Sequence, residues 1–258
     1  MPDGVPPMVT GPFEVLIPMI VNTVLFIGLD LIVTSITGSG LTNLVFVIFS
    51  PILSAANTLP SMTVIVTLIV IFWFFGIHGD NMLNPIAAPI FNMNLIANIE
   101  AYNSGLEIPY VFAGSFTFIT GLSIIYLAIL FNLNFICKNK RLRSLGRLSI
   151  PSSVFNINEP LVFGVPTVLN VLTFIPSIIC VILDIIIAYG ATVFGFMNKV
   201  CMSVPWTTPG PLFLFLSTMD IRAVFVWLII FVLNVVIFLP FMKAYDKQMD
   251  LEETQIQE

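Results

Sequence analysis

Two polar segments stand out in a chain that is otherwise mostly apolar. The segment 73–81 contains His78, the only histidine, which lies between glycines that allow a ligand to approach the backbone closely. The segment 151–166 contains Glu159, which precedes a proline and lies among apolar residues. A carboxylate accepts hydrogen bonds strongly from hydroxyl groups, and a histidine can exchange a proton near neutral pH. Together, Glu159 and His78 are predicted to bind a polyhydroxylated ligand and to orient or deprotonate one of its hydroxyl groups.

Three further side chains extend this prediction to a whole ligand pocket. Asn81 and Asn158 each offer an amide donor and an amide acceptor. Trp206 lies in the segment Pro-Trp-Thr-Thr-Pro, and its face could serve as a platform for a sugar ring. Structural alternatives remain: Glu159 could cap a helix, His78 could hydrogen-bond within the bundle, and Trp206 could belong to an interfacial aromatic belt.

The sequence disfavours several other classes of protein. Cys137, Cys180 and Cys201 show no C-x-x-C spacing, and one histidine cannot build a multi-histidine site, so we expect neither a metal nor a cofactor. No nucleophile–base pair or phosphate loop indicates an enzyme that acts alone. Five of the nine basic residues fall within 138–147. This stretch joins two apolar runs, so it indicates membrane orientation rather than nucleic-acid binding.

The composition predicts that lipid is the solvent for most of the chain. Hydrophobic residues make up 58% of the 258 residues and charged residues only 9%, against about 25% in a typical soluble domain. A helix needs about 20 apolar residues to cross a bilayer. The apolar runs of suitable length are 13–36, 62–78, 110–136, 166–189 and 221–240. The predicted fold is an all-α membrane protein with about five transmembrane helices, two re-entrant hairpins and one interfacial helix.

The stretches between these runs are too short to span or are interrupted by proline and glycine, namely 41–56, 83–99, 152–165 and 191–216. Broken segments at membrane depth are tolerated only where protein or a water-filled cavity receives the freed backbone groups. They are therefore typical of a transporter binding site. The segment 41–56 is predicted to be a helix at the cytoplasmic face or packed against the bundle.

The basic stretch 138–147 predicts the topology, because cytoplasmic loops carry an excess of Lys and Arg. Two further spans return the acidic tail, 246–258, to the cytoplasmic side of the cytoplasmic membrane. Counting backwards places the N-terminus outside. Without a signal peptide, this indicates that natural relatives carry additional spans before Met1.

Two acidic residues lie within apolar runs, Asp30 in the first and Asp184 in the fourth. Such residues could carry protons or cations, so a proton- or sodium-coupled secondary transporter is an alternative function. Burial in the protonated form or contact with a helix terminus would equally explain them.

Three motifs, in the same order, resemble those of phosphotransferase-system sugar permeases. They are Trp-Phe-Phe-Gly-Ile-His-Gly at 73–79, Phe-Asn-Ile-Asn-Glu-Pro-Leu-Val-Phe-Gly-Val-Pro at 155–166 and Pro-Trp-Thr-Thr-Pro at 205–209. The chain is similar to the membrane subunit, enzyme IIC, of the lactose/cellobiose/diacetylchitobiose group. The resemblance covers essentially the whole chain, and Asn-Glu-Pro in its context is the most specific motif.

The resemblance implies a homodimeric fold of ten transmembrane helices and two re-entrant hairpins, in which the first five helices form the dimer interface. This chain matches the second half, so residues 1–245 are expected to form the sugar-binding and transport domain and the N-terminal dimerisation half to be absent. That half, or a homodimer partner, is then an expected partner. An inactive truncated fragment remains an alternative.

The resemblance also implies roles for the polar residues. Glu159 and His78 would contact the sugar, Trp206 would line the same pocket, and Asn81 and Asn158 are further expected contacts. The imported disaccharide would be phosphorylated by a phosphocysteine on the soluble enzyme IIB, supplied in turn through enzyme IIA and phosphoenolpyruvate. The stretch 138–151 is the expected docking surface for enzyme IIB.

Overall fold

The computed structural model describes residues 7–41, 43–44, 47–48, 58–114, 116, 122–165 and 167–257. These ranges contain helices and irregular segments and no β-strand. The chain divides into two compact units, residues 1–52 and 53–258. The helices are Pro7–Thr37 (α1), Leu59–Phe74 (α2), Gly79–Asn103 (α3), Leu122–Phe135 (α4), Lys140–Val154 (α5), Glu159–Gly164 (α6), Val171–Val193 (α7), Gly210–Thr218 (α8) and Arg222–Gln257 (α9).

Each of the five predicted apolar runs overlaps one of these helices, and the all-α membrane fold is confirmed. Three segments are long and apolar enough to cross a bilayer: Val15–Thr37, Val171–Val193 and Arg222–Thr254. Helices α2 and α4 are apolar but have only 16 and 14 residues. At 1.5 Å per residue they are about 24 and 21 Å long, against about 30 Å of hydrocarbon.

The first residues of the predicted run 110–136 are not helical. Residues 106–114 form an irregular segment, and α4 begins at Leu122. Two asparagines of α3 replace the helical hydrogen bonds: Asn98 exchanges bonds with both Tyr110 N and Tyr110 O, and Asn94 Nδ2 donates to Phe112 O at 2.8 Å. The apolar composition alone predicted a longer span because it does not register these side-chain partners.

The predicted break at 83–99 lies inside a continuous helix. Pro85 and Pro89 are both within α3, which runs for 25 residues. Each proline removes one backbone donor, and membrane helices tolerate such losses where neighbouring groups satisfy the freed carbonyls. The chain turns back after α3, so that α3 and the irregular segment after it form one hairpin, joined by the side chains of Asn94 and Asn98. Helices α5 and α6 form a second hairpin around the turn at 155–158.

The basic stretch 138–147 is mostly helix rather than loop. Asn139 caps α5, because its side-chain oxygen accepts hydrogen bonds from Arg141 N and Leu142 N. The basic side chains are exposed, whereas one face of α5, which includes Leu142 and Ser149, is buried. The stretch therefore consists of a capping residue followed by an amphipathic helix. From its charge alone, we expected only a link between two apolar runs.

The other predicted segments have mixed outcomes. Most of 41–56, the predicted interfacial helix, lies outside the described residues. Residues 194–209 are irregular, in keeping with the predicted interruption of 191–216. The acidic end is helical through Gln257 as the continuation of α9, and Asp246 accepts hydrogen bonds from Lys138 N and Asn139 N.

The core of residues 53–258 is an apolar helix bundle. Helix α9 packs against α4, α7 and α8, and α7 also contacts α2. Helix α3 packs on α2, and α5 packs on α4 and α6. This arrangement leaves α2, α3 and α4 on one side of an open space and the α5–α6 hairpin on the other.

A candidate sugar-binding cavity

One cavity of about 630 Å³ lies within residues 53–258. Its volume falls in the range of small-molecule sites, about 300 to 1,000 Å³. Its walls come from α2, α3, α4, the α5–α6 hairpin and the irregular segment before α8. All five residues predicted for the pocket line it: His78, Asn81, Asn158, Glu159 and Trp206.

His78 occupies the turn between α2 and α3. It is the N-cap of α3, and its Nδ1 accepts a hydrogen bond from Asn81 N at 3.3 Å. Its ring lies 4.4 Å from the Trp73 ring, centroid to centroid. An accepting Nδ1 carries no proton, so neutral His78 carries its proton on Nε2 and can donate from there.

The glycines beside His78 have structural roles. Gly76 has φ +77°, which shapes the turn after α2. A Cβ at Gly79 would collide with the backbone carbonyl of Ile69. The expected close approach of a ligand to Gly79 is therefore wrong, because the backbone of α2 occupies that space.

Glu159 begins α6, and Pro160 lies in its first turn as predicted. The Glu159 carboxylate lines the cavity and forms no hydrogen bond or ion pair with any described residue. Asn158 is the N-cap residue, but its side chain makes no capping bond. Its Nδ2 donates to Asn156 O at 3.1 Å, and its Oδ1 is left without a partner in the described part of the chain. Of these two side chains, Glu159 is therefore the one that offers an accessible acceptor, because Asn158 Oδ1 is buried.

Trp206 lies in a tight turn formed by residues 205–208, hereafter the Trp206 turn. The turn is closed by a bond from Thr208 N to Pro205 O at 3.0 Å. The Trp206 side chain is about half exposed, at 54%, and lines the cavity. An aromatic face with this exposure can pack against a ligand ring.

The sequence analysis missed several polar residues of the cavity. They are Asp80, Asn84, Asn92, Ser123 and Tyr126. Asn156, a polar neighbour of Glu159 in the segment 151–166, also lines the cavity. Asn81, Asn84 and Asn92 follow helical spacing on α3, so periodicity offered a signal for two of them. Asp80 accepts a bond from Trp73 Nε1 at 3.0 Å, which ties the end of α2 to the start of α3. Ser123 and Tyr126 lie in an apolar stretch of α4, where nothing in the local sequence indicates a ligand site.

The remaining candidate groups do not line this cavity. Asp30 accepts a hydrogen bond from Leu41 N, a contact with the start of the next helical turn. Asp184 Oδ2 accepts from Asn234 Nδ2 of α9 at 2.9 Å. Burial, together with Asp246, raises the pKa of Cys137 to about 12, so this thiol stays protonated and is not a nucleophile. Among the described residues, no group of potential ligands could hold a metal ion.

The fold and the cavity define a multi-pass helical membrane protein with an internal cavity lined by polar and aromatic side chains. The family described as "Phosphotransferase system, EIIC" matches residues 1–180. The chain belongs to this family.

Named relatives and a solved structure support the same assignment. The chain is 34% identical over 260 residues to the lactose-specific EIICB component of Lactococcus lactis subsp. lactis, covering 98% of this chain and 45% of that protein. It is 32% identical to the corresponding component of Streptococcus mutans serotype c, covering 99% and 46%. The crystal structure of ChbC, the IIC component of an N,N'-diacetylchitobiose-specific system, matches with a TM-score of 0.74 and 33% identity, covering 98% of this chain and 60% of that one. The chain spans about half the length of the curated relatives it matches.

Proposed function

We propose that this chain binds a disaccharide and translocates it across the cytoplasmic membrane for phosphoenolpyruvate-dependent phosphorylation by a partner enzyme IIB. The observation that carries the proposal is the meeting of His78, Asn81, Asn158, Glu159 and Trp206 in one cavity. These residues come from three distant parts of the chain. The relatives' names specify lactose and N,N'-diacetylchitobiose, which supports a disaccharide of the lactose, cellobiose or diacetylchitobiose type.

The chemistry of the walls suits a sugar. A sugar presents many hydroxyl groups, each of which donates and accepts hydrogen bonds, and ring faces that pack on aromatic side chains. The Glu159 carboxylate supplies an acceptor, Trp206 supplies the aromatic face, and Asn158 lines the same wall as Glu159. The polar groups that line such a pocket need hydrogen-bond partners, and the hydroxyl groups of a sugar can supply them.

The geometry favours different roles for the two proposed catalytic residues. Neutral His78 donates from Nε2, because its Nδ1 is engaged by Asn81 N. Glu159 has no partner among the described residues and can only accept while ionised. We therefore assign proton acceptance from the reacting hydroxyl to Glu159 and orientation of the sugar to His78.

The proposal places enzyme IIB on the cytoplasmic side. The relatives are EIICB components, which join an EIIC to an IIB domain. The exposed basic residues of α5 offer a docking surface next to the hairpin that carries Glu159. Residues 1–245 would form the transport domain, with the acidic end 246–258 cytoplasmic and enzyme IIA supplying phosphate to enzyme IIB. An N-terminal half or a second copy would supply the dimer interface. Unchanged phosphorylation after charge reversal at Arg141 and Arg143 would contradict this docking surface.

The first test is equilibrium binding of lactose, cellobiose and diacetylchitobiose to the purified chain in lipid nanodiscs. Glu159→Ala removes the proposed acceptor. Glu100→Gln is the matched control, because Glu100 is an exposed carboxylate on α3 that does not line the cavity.

We expect saturable binding of one disaccharide that is lost in Glu159→Ala and retained in Glu100→Gln. Absence of binding by a folded chain would contradict the proposal for this chain. Binding that survives Glu159→Ala would show that the sugar occupies a different site.

A further inference from the structure

Asn156 connects the two walls of the cavity. Its Nδ2 donates to Trp206 O at 2.8 Å and to Thr208 O at 2.7 Å, so both amide hydrogens are used on the Trp206 turn. Its own backbone carbonyl accepts from Asn158 Nδ2 at 3.1 Å. One side chain therefore links the α5–α6 turn, which precedes Glu159, to the turn that carries the aromatic wall.

The Trp206 turn has few other anchors. Pro205 removes one backbone donor from the turn, and Pro209 and Pro211 remove two more from the residues that follow it. Within 203–208, the backbone hydrogen bond from Thr208 to Pro205 is the one that the described chain provides. The two bonds from Asn156 are the side-chain hydrogen bonds that the described residues make to this turn. The position of Trp206 therefore depends strongly on one amide group.

The conformation of Asn156 is specialised for this contact. Its φ is +65°, in the left-handed region that asparagine tolerates better than other non-glycine residues. The side chain is buried, with 6% exposure. A buried amide that used neither hydrogen would be costly, so the pairing stabilises both the unusual backbone and the turn that it holds.

We infer that Asn156 is a positioning residue: its amide holds the Trp206 turn at a fixed spacing from the hairpin that carries Asn158 and Glu159. The ligand is then received between an aromatic and an acidic wall whose separation is preset. The part of this inference that concerns a sugar rests on the proposed function. The part that concerns Trp206 is a property of the fold and can be measured without a ligand.

The experiment uses the full chain labelled with 5-fluorotryptophan in lipid nanodiscs. The three tryptophans give three ¹⁹F signals, and Trp206→Phe assigns the one of interest. Asn156→Gly is the principal variant, because glycine adopts the positive φ freely while losing the amide. Asn156→Asp keeps the shape of the side chain but turns two donors into acceptors that face two carbonyls.

Asn98 provides a matched control for this kind of contact. Its Nδ2 also donates to two carbonyls in separate segments, Tyr110 O and Val200 O, both at 2.8 Å, but Asn98 does not line the cavity. Asn98→Asp is therefore the same chemical change as Asn156→Asp at a residue that does not line the cavity and does not bond the Trp206 turn. Should either aspartate variant fail to fold, Asn156→Gly still decides the question.

We expect Asn156→Gly to shift the Trp206 signal, to leave the Trp73 and Trp227 signals in place and to weaken disaccharide binding by about tenfold. Asn98→Asp should leave the Trp206 signal unchanged. An unchanged Trp206 signal in Asn156→Gly would overturn the inference, and weaker binding with that signal unchanged would mean that Asn156 contacts the sugar itself.

A shifted Trp206 signal with unaltered disaccharide affinity would also overturn the positioning role of Asn156. The separation between the Trp206 turn and the hairpin would then not matter to the ligand. If the unaltered chain binds no disaccharide, the proposed function fails. The fluorine spectra would still establish or refute the control of Trp206 by Asn156.

Discussion

The cavity and the contact between α4, α7 and α9 both place polar side chains inside an apolar bundle, but in opposite ways. In the cavity, the Glu159 carboxylate has no described partner and Trp206 is half exposed. We call the second region the seam, defined by Asn132 of α4, Asp184 of α7 and Asn234 of α9. All three seam residues are fully buried, and Asn234 donates to Asp184.

The seam joins helices directly. Asn132 Nδ2 donates to Val235 O of α9 at 3.2 Å, next to the bond between Asn234 and Asp184. Interhelical bonds of this kind in membrane proteins contribute about 0.6 kcal/mol on average. An acidic residue within a span is therefore not by itself evidence of transport chemistry. One oxygen of each seam residue is also buried without a partner among the described residues. What separates the two regions is therefore whether the polar side chains are enclosed between helices or line an open cavity.

The largest contrast should come from the same chemical change at both regions, carboxylate to amide. Glu159→Gln removes a charged acceptor from the cavity, so disaccharide affinity should fall by about 10- to 100-fold with little change in thermal stability. Asp184→Asn should leave affinity unchanged, because an amide can still exchange hydrogen bonds with Asn234. Titration calorimetry with thermal unfolding measures both, and a loss of affinity in Asp184→Asn would give the seam a functional role.

Trp206 in the cavity and Trp227 in the helix bundle provide the next contrast. Trp206→Ala should weaken disaccharide binding by about tenfold, since the aromatic face is lost. Trp227 is nearly buried and stacks on Phe231 at 5.3 Å between centroids. Trp227→Ala should therefore lower the unfolding temperature and leave the affinity of the folded protein intact. Equal losses of affinity in the two variants would mean that binding reports only general stability.

These contrasts show what the sequence could and could not reveal. The apolar runs were long enough to identify the helical membrane fold, and the polar residues near broken segments were identified by type and neighbours. The irregular segment 106–114 was not predicted, because hydrogen bonds to its Tyr110 and Phe112 come from Asn98 and Asn94 on another element. Pairing of Asp184 with Asn234, 50 residues apart, likewise depends on helix packing that spacing along the chain does not encode.

Replacing both Asp184 and Asn234 should lower the free energy of unfolding less than replacing Asp184 alone. Asp184→Leu leaves the Asn234 amide buried without an acceptor, which should lower the free energy of unfolding by about 1 to 3 kcal/mol. Asp184→Leu combined with Asn234→Leu replaces both polar groups by apolar ones of similar size, so much of that stability should return. Chemical unfolding in mild detergent gives the double-mutant cycle.

Sugar binding by the double leucine variant also addresses ion coupling. Retained binding, with sugar uptake indifferent to proton and sodium gradients, would fit a seam that only joins helices. Uptake that collapses when the pair is removed, in a variant that still binds sugar, would favour the ion-coupled transporter.

The smallest effect is expected at a third kind of polar contact, an ionised pair at the edge of the bundle. Asp220, between α8 and α9, accepts bonds from Arg222 and from Asn198 N at 3.0 Å. Burial alone would raise the pKa of Asp220, but the Arg222 guanidinium and the two backbone amides outweigh burial and hold the pKa below its ordinary value. A lowered folded-state pKa stabilises the fold above the unfolded-state pKa, and that contribution is lost as pH falls through the folded-state pKa.

Asp220→Asn should therefore lower the unfolding temperature by a few degrees at pH 7, and the gap to the unaltered chain should narrow as pH falls below about 4. Thermal unfolding from pH 7 to pH 3 measures this gap. Glu107→Gln is the control, because Glu107 is almost fully exposed and lies 4.0 Å from Lys199, so it should show almost no gap at any pH. A gap for Asp220→Asn that stayed constant down to pH 3 would mean that the shape of the contact, and not the charge of Asp220, stabilises the turn between α8 and α9.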